Sequence, residues 1–218
     1  MQKMEILHFT LGGLQLQEPS TFVTDWIVAF YCFFVCFKIY RMHNYENNNF
    51  YNFYLFLGLS TFFGGLGHLF FHYTGIVGKF PSWITASVAS YHFCKAMMAD
   101  RQGVEFKWVN LLIIFKALFL LGLSIIFQKF IFIALDSILS YLIFGGVLGS
   151  ILWKNTQLYM RFVVYGTLLL VPTAFVFILD VNLHILFNRD DFSHMLILIS
   201  SMLFYKAIAE RNTLRLAS

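Results

Sequence analysis

Charge is what this chain has least of. Only 12% of its 218 residues are charged, while 59% are hydrophobic. A soluble domain carries about a quarter charged residues, so a water-soluble globular fold is excluded. Proline is also scarce, at three residues. With no Pro- or Ser-rich linker and no charge run, a single domain over 1–218 is the simplest organisation. The three cysteines, Cys32, Cys36 and Cys94, all fall in apolar runs. They read as free apolar thiols with no disulfide framework. A cleavable signal peptide is not expected. The first apolar patch, Ile6 to Leu16, is broken by Gly12 and Gly13 and followed by Glu18 and Pro19.

What is present is a series of long apolar runs. A membrane-crossing helix needs about 20 mostly apolar residues. Seven stretches meet or approach this: Phe22–Tyr40, Tyr51–Phe71, Trp83–Met98, Val109–Phe127, Ile131–Trp153, Leu158–Leu179 and Phe192–Ile208. The fold expected is all-α, a seven-transmembrane-helix bundle in a multi-pass integral membrane protein. Cations are retained on the cytoplasmic side of short loops. With the N-terminus outside, Lys38, Arg41, Lys95, Arg101, Lys107, Lys154, Arg161, Lys206, Arg211 and Arg215 fall inside. Lys3, Lys79, Lys129 and Arg189 fall outside, and Lys116 lies within the fourth span. The expected topology is therefore N-outside and C-cytoplasmic. The net charge of +4 reflects this sorting and predicts no nucleic-acid partner. Trp83, Trp108 and Trp153 at span ends, with Trp26 near one, read as an interfacial aromatic belt. Lys116 reads as snorkelling inward.

The stretch Ser60–His72, S-T-F-F-G-G-L-G-H-L-F-F-H, stands out. Polar groups at membrane depth are costly and are functional candidates by default. On one continuous helix, His68 and His72 are four apart and share a face, with Thr61 nearly in line and Ser60 on the flank. Gly64, Gly65 and Gly67 remove bulk, so that another helix or a lipid chain can approach. Most remaining acids and histidines fall toward the same outer side, including Glu5, Glu18, Asp25, Asp136, Asp180, Asp190, Asp191, His8, His184 and His194; His43 and His92 lie toward the other. The positive-inside rule accounts for none of this. Imidazole and carboxylate together suit zinc. His68 and His72 are candidate ligands from the second helix. Asp190 and His194, four apart, are candidates from the seventh, beside Asp191. Neither an H-E-x-x-H nor a paired C-x-x-C is present, and ordinary interhelical hydrogen bonding is the alternative.

Seven spans with the N-terminus outside, Ser and His on the second helix, and His near the start of the seventh resemble the CREST superfamily of membrane hydrolases. That superfamily includes alkaline ceramidases, Per1-like proteins and adiponectin-type receptors. The resemblance implies a zinc site that hydrolyses lipid amides or esters in the membrane. Its motifs are Ser-x-x-x-His on the second helix, an Asp on or near the third, and His-x-x-x-His on the seventh. Here Ser60 precedes His68 by eight residues, position 64 is Gly64, and the seventh helix offers Asp190-x-x-x-His194. The third has no acid until Asp100. Carried over residue by residue, the resemblance implies His68 or His72 and His194 as ligands, Asp190 or Asp191 in place of the missing His, and Asp25 or Asp136 as the acid. Ser60 or Thr61 would orient the substrate or its oxyanion.

Two function classes follow. The first is a zinc-dependent lipid hydrolase with membrane lipids as partners and a lipid as substrate. The second is a non-enzymatic transporter, channel or receptor with an outer His/Asp ligand or ion site. A haem carrier with axial His68 and His194 is a third. A retinal protein is disfavoured, because Lys206 lies at the end of the seventh helix.

Overall fold

The computed structural model describes residues 7–42, 48–99, 107–155, 157–179, 181–182, 184 and 187–217. Lys3, Glu5, His43, Asp100, Arg101 and Asp180 lie outside the described residues. A short antiparallel hairpin comes first, β1 (His8–Leu11) and β2 (Leu14–Gln17), turning at Gly12 and Gly13. Both glycines have positive φ, which the tight turn requires. The long helices follow: α1 (Pro19–Arg41), α2 (Asn48–Leu69), α3 (Phe80–Ala99), α4 (Lys107–Phe127), α5 (Ile131–Lys154), α6 (Met160–Ile178) and α7 (Arg189–Ala217). Each overlaps one of the apolar runs expected to be helical. α5 contains a π-helical stretch, Tyr141–Leu148, which the sequence reading did not anticipate. Wherever the chain is not in the hairpin it is mostly helical, as a chain must be if its backbone is to be satisfied without water.

Among the described residues, four helices are long and apolar enough to cross a membrane: Pro19–Arg41, Lys107–Phe127, Ile131–Lys154 and Arg189–Leu214. The pair Asn48–Leu69 and Phe71–Ala99 passes the same test together, with an 82° bend at the break between them. The chain is thus a helical integral membrane protein with four or five candidate spans by length and composition. The contacts between the arms of the bent pair are ordered. His92 meets Asn49, Phe93 meets Phe53, Ser82 meets Ser60, and Gly78 lies against Gly67. Positions rise along α2 as they fall along α3, so the second arm runs back along the first.

α1 packs on α2, α2 on α3 and α6 on α7, and α7 returns to α1. The middle is an aromatic hub. Phe53 is fully buried, with ring centroids 5.0 Å from Tyr54, 5.3 Å from Phe93 and 6.2 Å from Phe204. Lipid tails are as apolar as these rings, so such contacts select a packing by shape and dispersion more than by burial itself. Gly145 illustrates the fit: a Cβ there would lie 2.2 Å from Thr167 Oγ1. The three cysteines are buried and free, as expected.

Several cations gather at one end. Arg161 at the start of α6 pairs with Glu210 at 3.1 Å, Lys206 lies 4.3 Å over Phe162, and Arg211 lies 5.5 Å over Phe50 at the start of α2. At the end of α1, Lys38 and Arg41 cover Phe34 and Phe37. Two readings of isolated residues are corrected. Trp83 is buried between Phe80 and Phe130 and takes no part in an interfacial belt. Lys116 does not snorkel; it forms an ion pair with Asp136.

Candidate functional site

At the end opposite the cations, the chain enters α1 through Glu18. This residue is left-handed, with φ 48° and ψ 55°, a conformation non-glycine residues rarely adopt. The following Pro19 disfavours the right-handed helical alternative. The Glu18 N–H donates to Leu7 O at 3.1 Å, so the segment leading into the hairpin helps to hold the turn. The carboxylate is thereby placed on His68 of α2, where Nδ1 donates to Oε2 at 2.5 Å. Lys79, in the turn before α3, approaches from the other side, with Nζ 3.2 Å from His68 Nε2. With Nδ1 as donor, Nε2 carries the lone pair that Lys79 meets. Asp190, from the first turn of α7, completes a group. One ligand atom each from Glu18, His68 and Asp190 lie within 4.8 Å of one another, all half-buried.

Burial pushes the Glu18 carboxyl up. The hydrogen bond from His68, with the charges of Lys79 and Arg189, outweighs it and holds the group below the ordinary carboxylate range. A depressed folded-state value means that the stabilisation is complete above the unfolded value of 4.5 and is lost as pH falls through the folded one. Chelator-treated protein is therefore expected to lose thermal stability on acidification below about pH 4.5, and Glu18→Gln should flatten that part of the profile. A wild-type profile that Glu18→Gln leaves unchanged would contradict this assignment.

A second network lies beside the first, between α1 and α7. Asn188 caps α7: its Oδ1 accepts from the N–H of Asp190 at 2.8 Å and of Asp191 at 3.1 Å. Asp191 is fully buried and accepts from Asn188 N–H and from the Thr24 hydroxyl at 2.9 Å. Because Thr24 gives its hydrogen to that carboxylate, its oxygen accepts from His194 Nδ1 at 3.0 Å. His194 Nε2 then shares a proton with Asp25 Oδ1 at 3.2 Å. Asp25 is only 2% exposed, and its other oxygen, Oδ2, has no hydrogen-bond partner. Whichever atom of the pair carries the shared proton, Oδ2 is left as an acceptor.

Several sequence candidates are placed differently. α2 ends at Leu69 and the chain bends at Phe70, so His72 sits on a separate short helix, Phe71–Thr74, exposed and ring-to-ring with Tyr73. It does not share the face of His68. Ser60 donates to the carbonyl of Ser82 at 3.0 Å, and Thr61 donates to backbone within its own helix. Neither hydroxyl hydrogen points into the cluster. His194 lies outside the three-residue group and is held by Thr24 and Asp25. Asp136 belongs to the Lys116 pair and is removed from the acid role. His92 stacks on Phe56 with rings 5.7 Å apart, away from this end, and His184 is exposed in the segment before α7. Glu18 and Lys79 were missed as cluster members. The Glu-Pro step before an apolar run was the available signal for the first.

No curated protein and no solved structure matches the chain. A family model described as "Family of unknown function (DUF6962)" matches residues 20–213, from the first turn of α1 to the last turns of α7. The hairpin and Glu18 precede the matched region, whereas His68, Asp25, Asp190 and His194 lie within it. By that match over most of its length, the chain belongs to the DUF6962 family, whose function is unknown.

Proposed function

We propose that this protein crosses the membrane seven times, with the N-terminus outside, and hydrolyses a lipid amide or ester at a metal ion bound at its outer end. The folding back of α3 along α2 supports two crossings for that pair. Counting the shorter α6 (Met160–Ile178) as well gives seven. The gathering of Arg161, Lys206 and Arg211 at the opposite end supports a cytoplasmic C-terminus.

The observation that carries the metal reading is the convergence of Glu18, His68 and Asp190 from three separate elements. Two carboxylates and one imidazole suit zinc, and three protein ligands leave a position open. A bound zinc supplies Lewis acidity, polarising a carbonyl and acidifying water near neutral pH. The rest falls to the chain. Glu18, His68 and Asp190 would hold the ion through one ligand atom each. Asp25 Oδ2 accepts a proton from the attacking water and returns it to the leaving group. His194 orients Asp25 through the other oxygen, and Asp191 orients His194 through Thr24. Relative to the CREST pattern the ligand set is redistributed, with His68 one turn beyond Gly64 and acids from the α1 entry and α7.

One observation favours the non-enzymatic alternative. Lys79 Nζ lies within 3.3 Å of His68 Nδ1 and 3.2 Å of Nε2, so Glu18, His68 and Lys79 also make a metal-free polar clasp around a ligand. Metal analysis of detergent-purified protein separates the two. About one zinc per chain is expected in the wild type, with loss in both His68→Ala and Asp190→Ala. A folded, metal-free wild type would sink the hydrolase reading and leave the clasp.

A further inference from the structure

A cation already stands where a metal ion would enter. Lys79 closes the short turn Gly75–Lys79, which follows the bend at Phe70 and leads into α3. Its stem lies along α2 at Gly67, where a Cβ would come 3.1 Å from Lys79 Cγ. The absent side chain lets the lysine reach the next residue, His68. There Nζ lies 3.3 Å from Nδ1 and 3.2 Å from Nε2. Whichever ring nitrogen ligates a metal, the ammonium is close beside it. Within this group the two carboxylates, Glu18 and Asp190, already face two cations. Lys79 and Arg189 both act on Glu18, and Arg189 lies 3.5 Å from Asp190. A divalent ion joining both cations would leave the group strongly positive, in a half-buried place where like charges are poorly screened. Lys79 is the cation set against the imidazole. It also has another partner at hand, because its Nζ is 5.4 Å from the ring centroid of Phe71, the first residue after the bend. An aromatic face is a favourable resting place for an ammonium.

We propose that Lys79 is a resident cation that guards the metal site: it holds Glu18 and His68 together when the site is metal-free, and a metal ion binds as the ammonium withdraws toward Phe71. This inference rests on the metal reading proposed above. It makes the polar clasp and the metal centre two states of one site. A tethered competitor acts at a high effective concentration, so it sets the affinity that an incoming ion must exceed. A monovalent ion brings no more charge than the lysine and gains nothing by the exchange, whereas a divalent ion brings twice as much.

The test is zinc affinity, measured on the full chain in detergent by competition with a chromophoric chelator. Lys79→Met is expected to bind zinc at least tenfold more tightly than the wild type. Lys129→Met removes an equal charge from the exposed segment between α4 and α5 and should leave the affinity unchanged. A second readout uses the wild type alone and serves if Lys79→Met does not fold. Zinc should raise reductive methylation of Lys79 several-fold, read by peptide mass spectrometry, because the withdrawn amine is released from the cluster. An affinity of Lys79→Met equal to or below that of the wild type, an equal gain in Lys129→Met, or methylation that zinc does not raise would overturn the guard and leave the metal reading standing. Zinc bound by neither the wild type nor Lys79→Met would remove the metal reading itself, and the guard with it.

Discussion

Replacing Lys116 by methionine is expected to cost the folded bundle about 3–5 kcal/mol, the penalty of stranding one member of a buried ion pair. Its Nζ lies 2.6 Å from Asp136 Oδ1 and also donates to the Asp136 carbonyl at 2.9 Å and to Ser140 Oγ at 2.5 Å, so the ammonium is held by one ion pair and two hydrogen bonds. The Asp136 side chain is wholly buried, and its second oxygen accepts from Ser87 of α3 at 3.1 Å. With Lys116 gone, a carboxylate remains in an apolar layer with one hydroxyl for company, and α3, α4 and α5 lose their common anchor. Asp136→Asn should cost a comparable amount. The double variant Lys116→Met with Asp136→Leu should recover most of the loss, because the Ser140 and Ser87 hydroxyls keep backbone acceptors at Asp136 O and Ala117 O. Reversible unfolding in detergent mixtures measures all three. Single variants within about 1 kcal/mol of wild type would show that the pair contributes nothing to the fold.

On the hydrolase reading proposed above, Asp25→Asn is expected to lower lipid hydrolysis by about 10²- to 10⁴-fold while leaving zinc content unchanged. The substitution preserves shape and an oxygen for His194, but the resulting amide cannot take up a proton in turnover. The separation of the two readouts matters. Asp25 lies outside the Glu18, His68 and Asp190 group, so a ligand role would show as lost metal and a proton-transfer role as lost rate. Loss of metal together with activity would make Asp25 a ligand and overturn the division of labour proposed above.

Much of this architecture was legible in the residues, because membrane helices announce themselves by length and hydropathy. All seven apolar runs coincide with long helices, and the conformational role of Gly12 and Gly13 was visible as a break. What was not legible depended on partners distant in sequence. The face shared by His68 and His72 assumed that α2 continues past Leu69; the return of α3 ends it at Phe70, and Gly67 packs against Gly78 O. Lys116 and Asp136 were assigned separately, since a 20-residue separation across a loop carries no periodic signal. Ser60 resembled a catalytic hydroxyl by type alone, and only the Ser82 carbonyl reveals how it is satisfied. Asp190 and His194 share a helix face as the spacing requires, yet one joins Glu18 and His68 while the other joins Asp25.

The polar end also sets an order of assembly. Thr24 and Asp191 are 167 residues apart, and Tyr54 bonds to Ser201 across 147. A ribosome delivers α1 and α2 long before α7, so Asp25 and Thr24 have no α7 partner until the final helix arrives. The region around Glu18, His68 and Asp190 consequently closes only after α1 to α6 have been made, and a nascent chain arrested before Arg189 has no closed cluster.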